Sequence, residues 1–582
     1  MPCRTWLLAA AIGIHCQAVL TMNPVAASNQ VSSETDARRP QALELAQPTS
    51  ATTSELDQIV QAYFVKISHL YGEEATPYSK EVAARCIRSA AEQHLVRAQL
   101  ILGWMYVQGH GVAQNDREAV RWFDQAADQN FAAGQNWLGF MYLQGRGITQ
   151  DNDRAFQLFE KAAEQGHTDA QFNLARCYRR GVGVFQDDAR SVHFLRLAAE
   201  QGHHWAQFDL GWMCFKGRGG AGTDSDAVDW YRRSAAKGLA AAQFNLGYMY
   251  DVGRGVDQDP LEALAWYRKA AEQNLAEAQR SIGLSYRDGQ GVPRDDSIAV
   301  EWFRKSAQQG HWLGQGSLAA MYLHGRGVPQ DDRKAATWFR AAAQQGGTWA
   351  QANLGWMYLT GRGVPKDDAI AIRWLRQAAV HGSPWAQAEL GRLYYNGQSV
   401  PQDDAEALRW SRQAAEQDKP LAQYMLGLMH FNGRGVKADN RQAAKWYRKA
   451  AEQDFPDAQN NLGMLYQKGL GVTQNHATAV HWYRKAAEQQ FPVSQANLGF
   501  MYLHGNGIKA DEEQAVALFQ RAAEAGEQEA ITVLAQLDRM RSPNRSHRFL
   551  SIIIMVAASL GLLLMILRNA PRQNASTLSS VS

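Results

Sequence analysis

The chain has 582 residues, with 60 Lys and Arg against 57 Asp and Glu and a formal net charge of +3 at pH 7. A nucleic-acid-binding protein presents a strongly basic face, and none is visible here because acids and bases alternate along the sequence. Outside the predicted leader the cysteines are Cys86, Cys177 and Cys214. An odd number at unmatched positions argues against a disulfide framework.

Residues 1–27 have the features of a secretory signal peptide. A single arginine, Arg4, precedes an apolar stretch that runs from Trp6 to Leu20, and small residues end the segment at Ala27. This order of a basic start, an apolar centre and small residues before the cleavage point is typical of such signals. We therefore predict that the repeats are exported from the cytoplasm.

Residues 28–54 and 55–95 lead into the main part of the chain. The first segment is rich in Ser, Thr, Gln, Ala and Pro without an apolar period, which predicts a flexible linker. In the second, Ser89-Ala90-Ala91 stands in register with alanine pairs that recur later. We predict a degenerate N-terminal capping repeat, whose outer face must tolerate water.

Residues 96–540 are organised by a repeat of 36 residues without insertion or deletion. We number each repeat from an anchor residue, which is glycine in all but two of the twelve units. The anchors are Gly103, Gly139, Ala175, Gly211, Gly247, Gly283, Ala319, Gly355, Gly391, Gly427, Gly463 and Gly499. A fixed period of this length indicates stacked supersecondary units that share one continuous core, closed here by a predicted C-terminal capping helix.

Each repeat predicts two helices. Glycines six and eight residues after the anchor end the first helix, and Asn, Asp or Thr twelve residues after it is a preferred N-cap for the second. Nineteen residues after the anchor, nine of the twelve repeats have tryptophan, which we predict to lie in the core. These tryptophans are Trp122, Trp230, Trp266, Trp302, Trp338, Trp374, Trp410, Trp446 and Trp482. The prediction is an all-α solenoid of about twelve helix pairs.

The repeat resembles a known family. The pattern A-x-x-LG-x-MY-x-x-G-x-GV-x-x-D followed by A-x-x-W-x-x-x-AA-x-x-G, as in residues 352–382, is similar to the Sel1-like repeat, a relative of the tetratricopeptide repeat. The resemblance implies a right-handed α/α superhelix that acts as a scaffold or adaptor, often in bacterial envelope assembly, signalling or secretion. It carries no common catalytic residues.

No motif in the chain favours catalysis, a cofactor or a metal. Gly217 to Gly222 match G-x-G-x-x-G, but this loop follows a predicted helix instead of a strand. His203 and His204 are neighbours and lack the spacing of metal ligands. Pairs of aspartates such as Asp367-Asp368 stand at the predicted N-caps, so we interpret them as helix caps and not as acid/base pairs.

Aromatic residues gather at positions of the first helices that lie roughly opposite the predicted apolar stripe. These candidate partner-binding residues are Trp205, Phe208, Trp212, Phe244 and Tyr248 in one region and Trp349, Trp356 and Trp385 in another. Exposed aromatic patches often mark interaction sites. The alternative is that these rings pack between neighbouring first helices.

Two functions therefore remain open. One is a scaffold that binds other proteins or peptides along a concave surface. The other is a carbohydrate or peptidoglycan binder, or an enzyme acting on cell-wall material, in which the aromatic rings form the platform.

Residues 549–567 predict a transmembrane helix, because 19 residues without a charge are long enough to span a bilayer. A short polar tail, residues 568–582, follows. Arginines are more frequent before this span than after it, which favours cytoplasmic repeats held by a tail anchor. The leader favours extracytoplasmic repeats, and we adopt that orientation because long domains translocate largely regardless of charge.

Overall fold

The computed structural model describes residues 77–541. The predicted leader (1–27), linker (28–54), transmembrane helix (549–567) and tail (568–582) lie outside the described residues, as does the first part of the predicted capping repeat. Among the helices of residues 77–541, none is both long enough and apolar enough to cross a membrane.

All regular structure within residues 77–541 is α-helical, and no strand occurs there, which confirms the all-α prediction. The described part forms two compact units, one ending at Arg294 and one beginning at Asp295. The first unit contains α1 Pro77–Glu92, α2 Val96–Gln108, α3 Asp116–Asp128, α4 Ala132–Gln144, α5 Asn152–Glu164, α6 Thr168–Arg180, α7 Asp188–Glu200, α8 His204–Phe215, α9 Asp224–Ala236, α10 Ala240–Val252, α11 Pro260–Glu272 and α12 Ala276–Asp288. The second contains α13 Asp296–Gln308, α14 Trp312–His324, α15 Asp332–Gln344, α16 Thr348–Thr360, α17 Asp368–Val380, α18 Pro384–Asn396, α19 Asp404–Glu416, α20 Pro420–Asn432, α21 Asn440–Glu452, α22 Pro456–Lys468, α23 His476–Glu488, α24 Pro492–His504, α25 Glu512–Glu524 and α26 Gln528–Arg541.

Helices that follow each other in the chain pack together within each unit. The even-numbered helices from α2 to α24 carry the anchor residues and are the first helices of the repeats, and the odd-numbered helices from α3 to α25 are the second helices. On α8, Ala206, Leu210 and Met213 are fully buried, so the predicted apolar stripe is the side that enters the core. The handedness of the array stays a prediction.

The predicted N-caps are present at all twelve second helices. The carboxylate of Asp367, for example, accepts a hydrogen bond from the backbone N–H of Ile370 at 2.8 Å. Asn115 accepts from the N–H groups of Arg117 and Glu118. Each cap satisfies backbone donors that the first turn of a helix cannot pair internally.

The two loop glycines have different functions. Gly361 ends α16 in the left-handed region, with φ of +70°. Gly363, at φ +71°, lies against the preceding repeat, where a Cβ on it would be only 2.1 Å from the carbonyl oxygen of Asp332. Ser399, which replaces the second glycine in one repeat, is held at φ +62°. The second glycine therefore permits close contact between repeats.

The core is built where the anchor glycine meets a side chain twenty residues further along. A Cβ on Gly247 would lie 2.8 Å from the ring of Tyr267, and one on Gly427 would lie 2.4 Å from the ring of Tyr447. The residues at this position are all buried: Phe123, Phe159, Leu195, Tyr231, Tyr267, Phe303, Phe339, Leu375, Ser411, Tyr447, Tyr483 and Phe519. In ten repeats a glycine anchor leaves this side chain the space of a Cβ, and Ala175 and Ala319 are the two exceptions.

The prediction that the nine tryptophans lie in the core is wrong for seven of them. Only Trp122 and Trp410 are buried, and the other seven are half-buried. In several repeats the exposed side of the indole meets a cation three residues later, as where Lys269 Nζ lies 3.8 Å from the ring centroid of Trp266. The physical reason is that adjacent helix positions point about 100° apart, so the tryptophan lies at the edge of the core and its neighbour enters it.

A candidate binding surface on the first helices

The eight predicted binding residues lie on four first helices. Trp205, Phe208 and Trp212 are on α8, and Phe244 and Tyr248 are on α10, all in the first unit; Trp349 and Trp356 are on α16 and Trp385 is on α18, in the second. We call the surface formed by the positions six and three before the anchor and one after it the first-helix surface. Within each unit, the predicted residues therefore lie at the first-helix positions that the repeat pattern gives them.

Two of the eight residues are buried, so for these two the structure favours packing over an exposed patch. Phe244 and Trp356 are each 8% exposed. The ring of Phe244 is tilted against that of Tyr267, with centroids 5.6 Å apart, and the guanidinium of Arg362 lies 5.5 Å from the ring of Trp356. The other six are half-buried, and a binding function for them stays a prediction.

The aromatic residues of α8 pack on their neighbours while keeping part of each ring open. Trp205 meets Phe208 edge to face, with ring centroids 6.2 Å apart. Phe208 in turn lies 5.9 Å from Tyr231 in the core. The same side chains therefore pack on neighbouring rings and stay partly exposed. A binding role and a packing role, the two alternatives drawn from the sequence, do not exclude each other.

Trp212 lies close to two arginines. The guanidinium groups of Arg179 on α6 and Arg218 in the following loop each lie 5.7 Å from its ring centroid. Arg218 donates two hydrogen bonds to the carboxylate of Asp188, at 2.7 and 2.9 Å. Arg179 forms an ion pair with Asp209 at 3.2 Å. These contacts fix both the ring and the charges around it.

Beside this aromatic region lies a set of charged groups that the sequence analysis did not identify. Arg176 is 8% exposed, and its guanidinium lies 5.5 Å from the ring of Phe172. Burial lowers the pKa of Arg176 to about 10, in spite of the attraction of Asp209. The repeating pattern alone could have drawn attention to Arg176, because ten of the twelve repeats have an apolar residue at this position and only Arg392 is also charged.

The adjacent histidines have structural partners. Nδ1 of His203 accepts a hydrogen bond from the N–H of Ala206 at 3.0 Å and so caps α8, and its Nε2 lies 3.3 Å from the carboxylate of Asp169. Burial, followed by the nearby His203 and Lys237, lowers the pKa of His204 to about 4, so its ring is neutral at pH 7. No group of three potential metal ligands occurs among the described residues.

In the second unit, Trp349 fills a space left by a glycine. A Cβ on Gly316 would lie 2.9 Å from the indole of Trp349, and the indole is edge-on to Phe339 with centroids 5.4 Å apart. Near Trp385 in the chain, Arg392 forms a two-point hydrogen bond with Glu389, a carboxylate that is almost fully buried.

Ion pairs between successive repeats hold the surface in place. Arg362, in the glycine loop of one repeat, bonds Asp332 of the preceding repeat at 2.8 Å. The same pair recurs at Arg146–Asp116, Arg218–Asp188, Arg254–Asp224, Arg326–Asp296 and Arg434–Asp404. In four of the five pairs of aspartates the second member is therefore a contact between repeats, whereas the sequence interpretation made both members helix caps; the exception is Asp368, which lies 3.7 Å from Lys366 of its own repeat.

Comparison with known families agrees with this architecture. The family model described as Sel1 repeat matches twelve consecutive segments: 96–131, 132–167, 168–203, 206–239, 240–275, 276–311, 313–347, 350–383, 386–419, 420–455, 456–491 and 492–527. The chain belongs to the Sel1-repeat family. Sel1-repeat proteins in general are scaffolds for protein–protein interactions and are not typically enzymes.

Solved structures of other Sel1-repeat proteins are similar to this chain. One is c5321, described as a protective antigen present in uropathogenic Escherichia coli strains and displaying the same fold; it is 34% identical, with 78% of this chain and 97% of that chain covered and a TM-score of 0.60. A Sel1-repeat protein from Oxalobacter formigenes is 35% identical over 53% of this chain and 90% of that one, with a TM-score of 0.41. A search of curated protein sequences found no match.

The G-x-G-x-x-G loop of this Sel1-repeat chain makes hydrogen bonds and an ion pair with other parts of the protein. Arg218 in the loop pairs with Asp188, and the carbonyl oxygen of Ala221 accepts a hydrogen bond from Arg196 on α7 at 3.1 Å. The loop joins α8 to α9, so it follows a helix. It is the repeat's ordinary glycine loop with two extra glycines, Gly220 and Gly222.

Proposed function

We propose that this protein is a membrane-anchored scaffold that binds other proteins or peptides on its first-helix surface, in the envelope of a bacterium. Residues 1–27 would export the repeats and residues 549–567 would hold them at the membrane. No catalytic step is assigned to it.

One observation carries the binding proposal. Six aromatic side chains on the first helices remain partly open, although the same helices are tied on their other sides by caps, glycine contacts and ion pairs. Large rings on a rigid support supply contact area at low entropic cost and dominate interface energies.

The binding proposal is tested by the double substitution Trp205→Ala and Trp385→Ala. We expect capture of partners from envelope extract to fall at least about tenfold, because loss of a hot-spot tryptophan costs about 2 kcal/mol or more. The matched control is Trp266→Ala, which removes a half-buried tryptophan from a second helix. Quantitative pull-down with mass spectrometry gives the measurement, with and without prior muramidase digestion of the extract.

Two outcomes would contradict the binding proposal. If the double variant captures the same partners as the unaltered protein, the first-helix surface is not the binding face. If capture disappears after muramidase digestion, the ligand is peptidoglycan, and the carbohydrate alternative replaces a protein partner.

The anchor is tested by deleting residues 549–582. We expect the shortened protein to move from the membrane pellet to the soluble fraction, because residues 549–567 supply the only predicted span of the mature chain. Alkaline phosphatase fused after Ser542 reports the side of the membrane, and an active fusion supports extracytoplasmic repeats. Continued sedimentation with membranes would contradict anchoring by this segment, and an inactive, well-expressed fusion would place the repeats in the cytoplasm.

A further inference from the structure

Three successive first helices of the second unit, α20, α22 and α24, have only two residues of the types Asp, Glu, Lys and Arg. These are Asp457 in the first turn of α22 and Lys468 at its end. Asp457 lies on the first-helix surface, six residues before the anchor Gly463. Lys468 follows eleven residues later, which is three helical turns and about 16–17 Å along the axis, so it lies on the same face.

The described part of the chain supplies neither charge with a counter-charge. Among residues 77–541, no other residue forms an ion pair or a side-chain hydrogen bond with Asp457 or Lys468. Asp457 is close to Tyr424 of α20, but burial and Asp457 itself raise the pKa of that phenol well above its usual value, so it is neutral. On α18, by contrast, Arg392 donates hydrogen bonds to both carboxylate oxygens of Glu389. The charges of α22 are too far apart to pair in this way.

The helix dipole does not account for Asp457. A carboxylate stabilised mainly by the free N–H groups of a first turn has a pKa below its usual range. Burial instead raises the pKa of Asp457 to about 6, and a hydrogen bond from its own backbone N–H offsets this only in part. Packing of the repeat does not require an acid either, because the other first helices of this unit have an apolar residue at this position: Leu313, Trp349, Trp385, Leu421 and Val493. Partial burial also lowers the pKa of Lys468.

Apolar side chains flank the charged face of α22 on both sides. Leu428 and Phe431 of α20 and Phe500 and Leu503 of α24 are half-buried, and so is Met464 between the two charges. Each of them packs against a core cluster while part of its surface stays open. Two opposite charges at the ends of a partly apolar face are the features expected of a surface that receives an amphipathic partner.

Hydrogen bonds fix this face to the next repeat. The side-chain oxygen of Asn460, one turn after Asp457, accepts hydrogen bonds from Ser494 and Asn497 of α24, both at 2.9 Å. The two ends of α22 are therefore presented to a partner at a fixed separation.

The separation of the two charges favours a helical ligand over an extended one. In an extended chain, about 16–17 Å corresponds to five residues at 3.3 Å each, and side chains five residues apart point to opposite faces. A helix that lies antiparallel along α22 has the same spacing of three turns on one face. In that direction the helix has its acidic residue in its first turn and its basic residue near its end, the arrangement that its own dipole stabilises.

We propose that the face of α22 between Asp457 and Lys468 binds an amphipathic helix of a partner protein, antiparallel to α22. The basic side chain of the partner helix pairs with Asp457, its acidic side chain pairs with Lys468, and its apolar side chains cover Leu428 and Phe500. The inference rests on the proposed scaffold function and gives it a docking site with a defined ligand chemistry. The aromatic residues of the capture experiment lie on other first helices, so the two proposals can fail separately.

The test uses four pools of fluorescently labelled peptides of about 18 residues, or five helical turns. All are acetylated and amidated, with a helix-favouring frame and apolar residues varied on one face. The Glu–Arg pool has a glutamate in the first turn and an arginine eleven residues later, the Arg–Glu pool has the two exchanged, and the Gln–Gln pool has glutamine at both positions. The proline pool is the Glu–Arg pool with a proline at its centre.

Fluorescence anisotropy with the full-length protein in detergent gives the Kd of each pool, with protein-free detergent as the blank. We expect the Glu–Arg pool to bind about tenfold or more tightly than the Arg–Glu and Gln–Gln pools, because hydrogen bonds between charged groups are the stronger kind. The proline pool should bind as weakly as the Gln–Gln pool or more weakly, because proline breaks the helix.

Variants of α22 connect this preference to its two charges. Asp457→Asn and Lys468→Gln should each weaken binding of the Glu–Arg pool about threefold or more, since each removes one of two ion pairs and threefold is half of tenfold in free energy. Exchange of the charges, Asp457→Lys with Lys468→Glu, should make the Arg–Glu pool the tighter one, which differences in helicity between the peptides cannot cause. Lys445→Gln is the matched control, because Lys445 is an exposed lysine on the neighbouring α21. Circular dichroism confirms folding, and Lys468→Gln, at the exposed end of α22, decides the question if the Asp457 variants do not fold.

Five results would overturn this inference. Four come from the peptides: equal binding of the Glu–Arg and Gln–Gln pools, tighter binding of the Arg–Glu or proline pool, binding of none of the pools, and a preference that the exchange of charges leaves unaltered. The fifth is a dimer of the full-length protein that Lys468→Glu alone dissociates in sedimentation equilibrium, since a second copy of this chain would then occupy the face. The scaffold itself is judged separately by the Trp205 and Trp385 double variant, so unchanged capture there contradicts the proposed function without altering the result at α22.

Discussion

Phe339→Ala is expected to lower the free energy of unfolding by about 3–5 kcal/mol, the range for a fully buried aromatic side chain cut back to alanine. Phe339 has no exposed surface and lies on α15 below the anchor Ala319, where it also meets Trp349 edge-on. Truncation leaves a cavity that the surrounding helices fill only in part. Urea denaturation followed by far-UV circular dichroism measures the loss.

The adjacent Trp338→Ala is the matched comparison, and we expect it to cost about 1–2 kcal/mol. Trp338 is half-buried, so it loses less apolar surface, at about 25 cal/mol per Å². The structure predicts a larger loss of stability for Phe339→Ala than for Trp338→Ala. The sequence prediction, which placed the tryptophan in the core, gives the opposite order. An equal or larger loss for Trp338→Ala would contradict the assignment of Phe339 as the core residue.

The sequence was sufficient where a feature depends on the local backbone. The 36-residue period, the N-caps such as Asp367 and the left-handed glycines such as Gly361 are all present. Each of these is decided by a few consecutive residues, because a cap needs an oxygen beside free N–H groups and a positive φ favours glycine. Repetition then made each local signal visible twelve times.

The choice between two neighbouring aromatic columns could not be made in the same way. Positions nineteen and twenty after the anchor both carry large apolar residues, as in Trp266 and Tyr267, and a periodicity argument locates a helix face only to within about one residue. The deciding contact is with Gly247, on a different helix. The sequence prediction placed the tryptophan in the core because it is the larger residue. The structure places the next residue there, because that side chain packs against the anchor glycine.

The ion pairs between repeats correspond to a correlation between two positions of the repeat, which the sequence alone shows. Each of the six loop arginines that pair is matched by an aspartate thirty residues earlier, as Arg362 is by Asp332. Where the earlier position is Asn152 or Pro260, the later one is Val182 or Gln290. The exception is one aspartate, Asp368, which has Gln398 at the arginine position. Comparison of repeats within one chain would have identified these contacts.

The candidate site was only partly predictable, for a related reason. The aromatic residues of the site could be predicted from the composition of the first helices. The burial of Phe244 could not, because it depends on the contact with Tyr267. The pairing of Arg179 with Asp209 joins α6 to α8. It requires the register between two helices, which the pattern within a single repeat does not give.

The second loop glycine offers the sharpest test of contact between repeats, and Gly363→Ala is expected to lower the free energy of unfolding by about 3 kcal/mol or more. Alanine at positive φ costs about 1–2 kcal/mol, and overpacking adds about 1–3 kcal/mol. The added Cβ would lie 2.1 Å from the carbonyl oxygen of Asp332, so backbone must move, and the adjacent pair of Arg362 with Asp332 moves with it.

Gly382→Ala separates the two contributions to this loss. Gly382 also has a positive φ, +88°, but a Cβ there would meet nothing within 4 Å, so its substitution reports the backbone cost alone, about 1–2 kcal/mol. The difference between the two variants, measured by urea denaturation under the same conditions, is the cost of separating adjacent repeats at Gly363. If both variants lose the same stability, the close approach of Gly363 to Asp332 contributes nothing, and the conservation of glycine across the repeats at this position reflects φ alone.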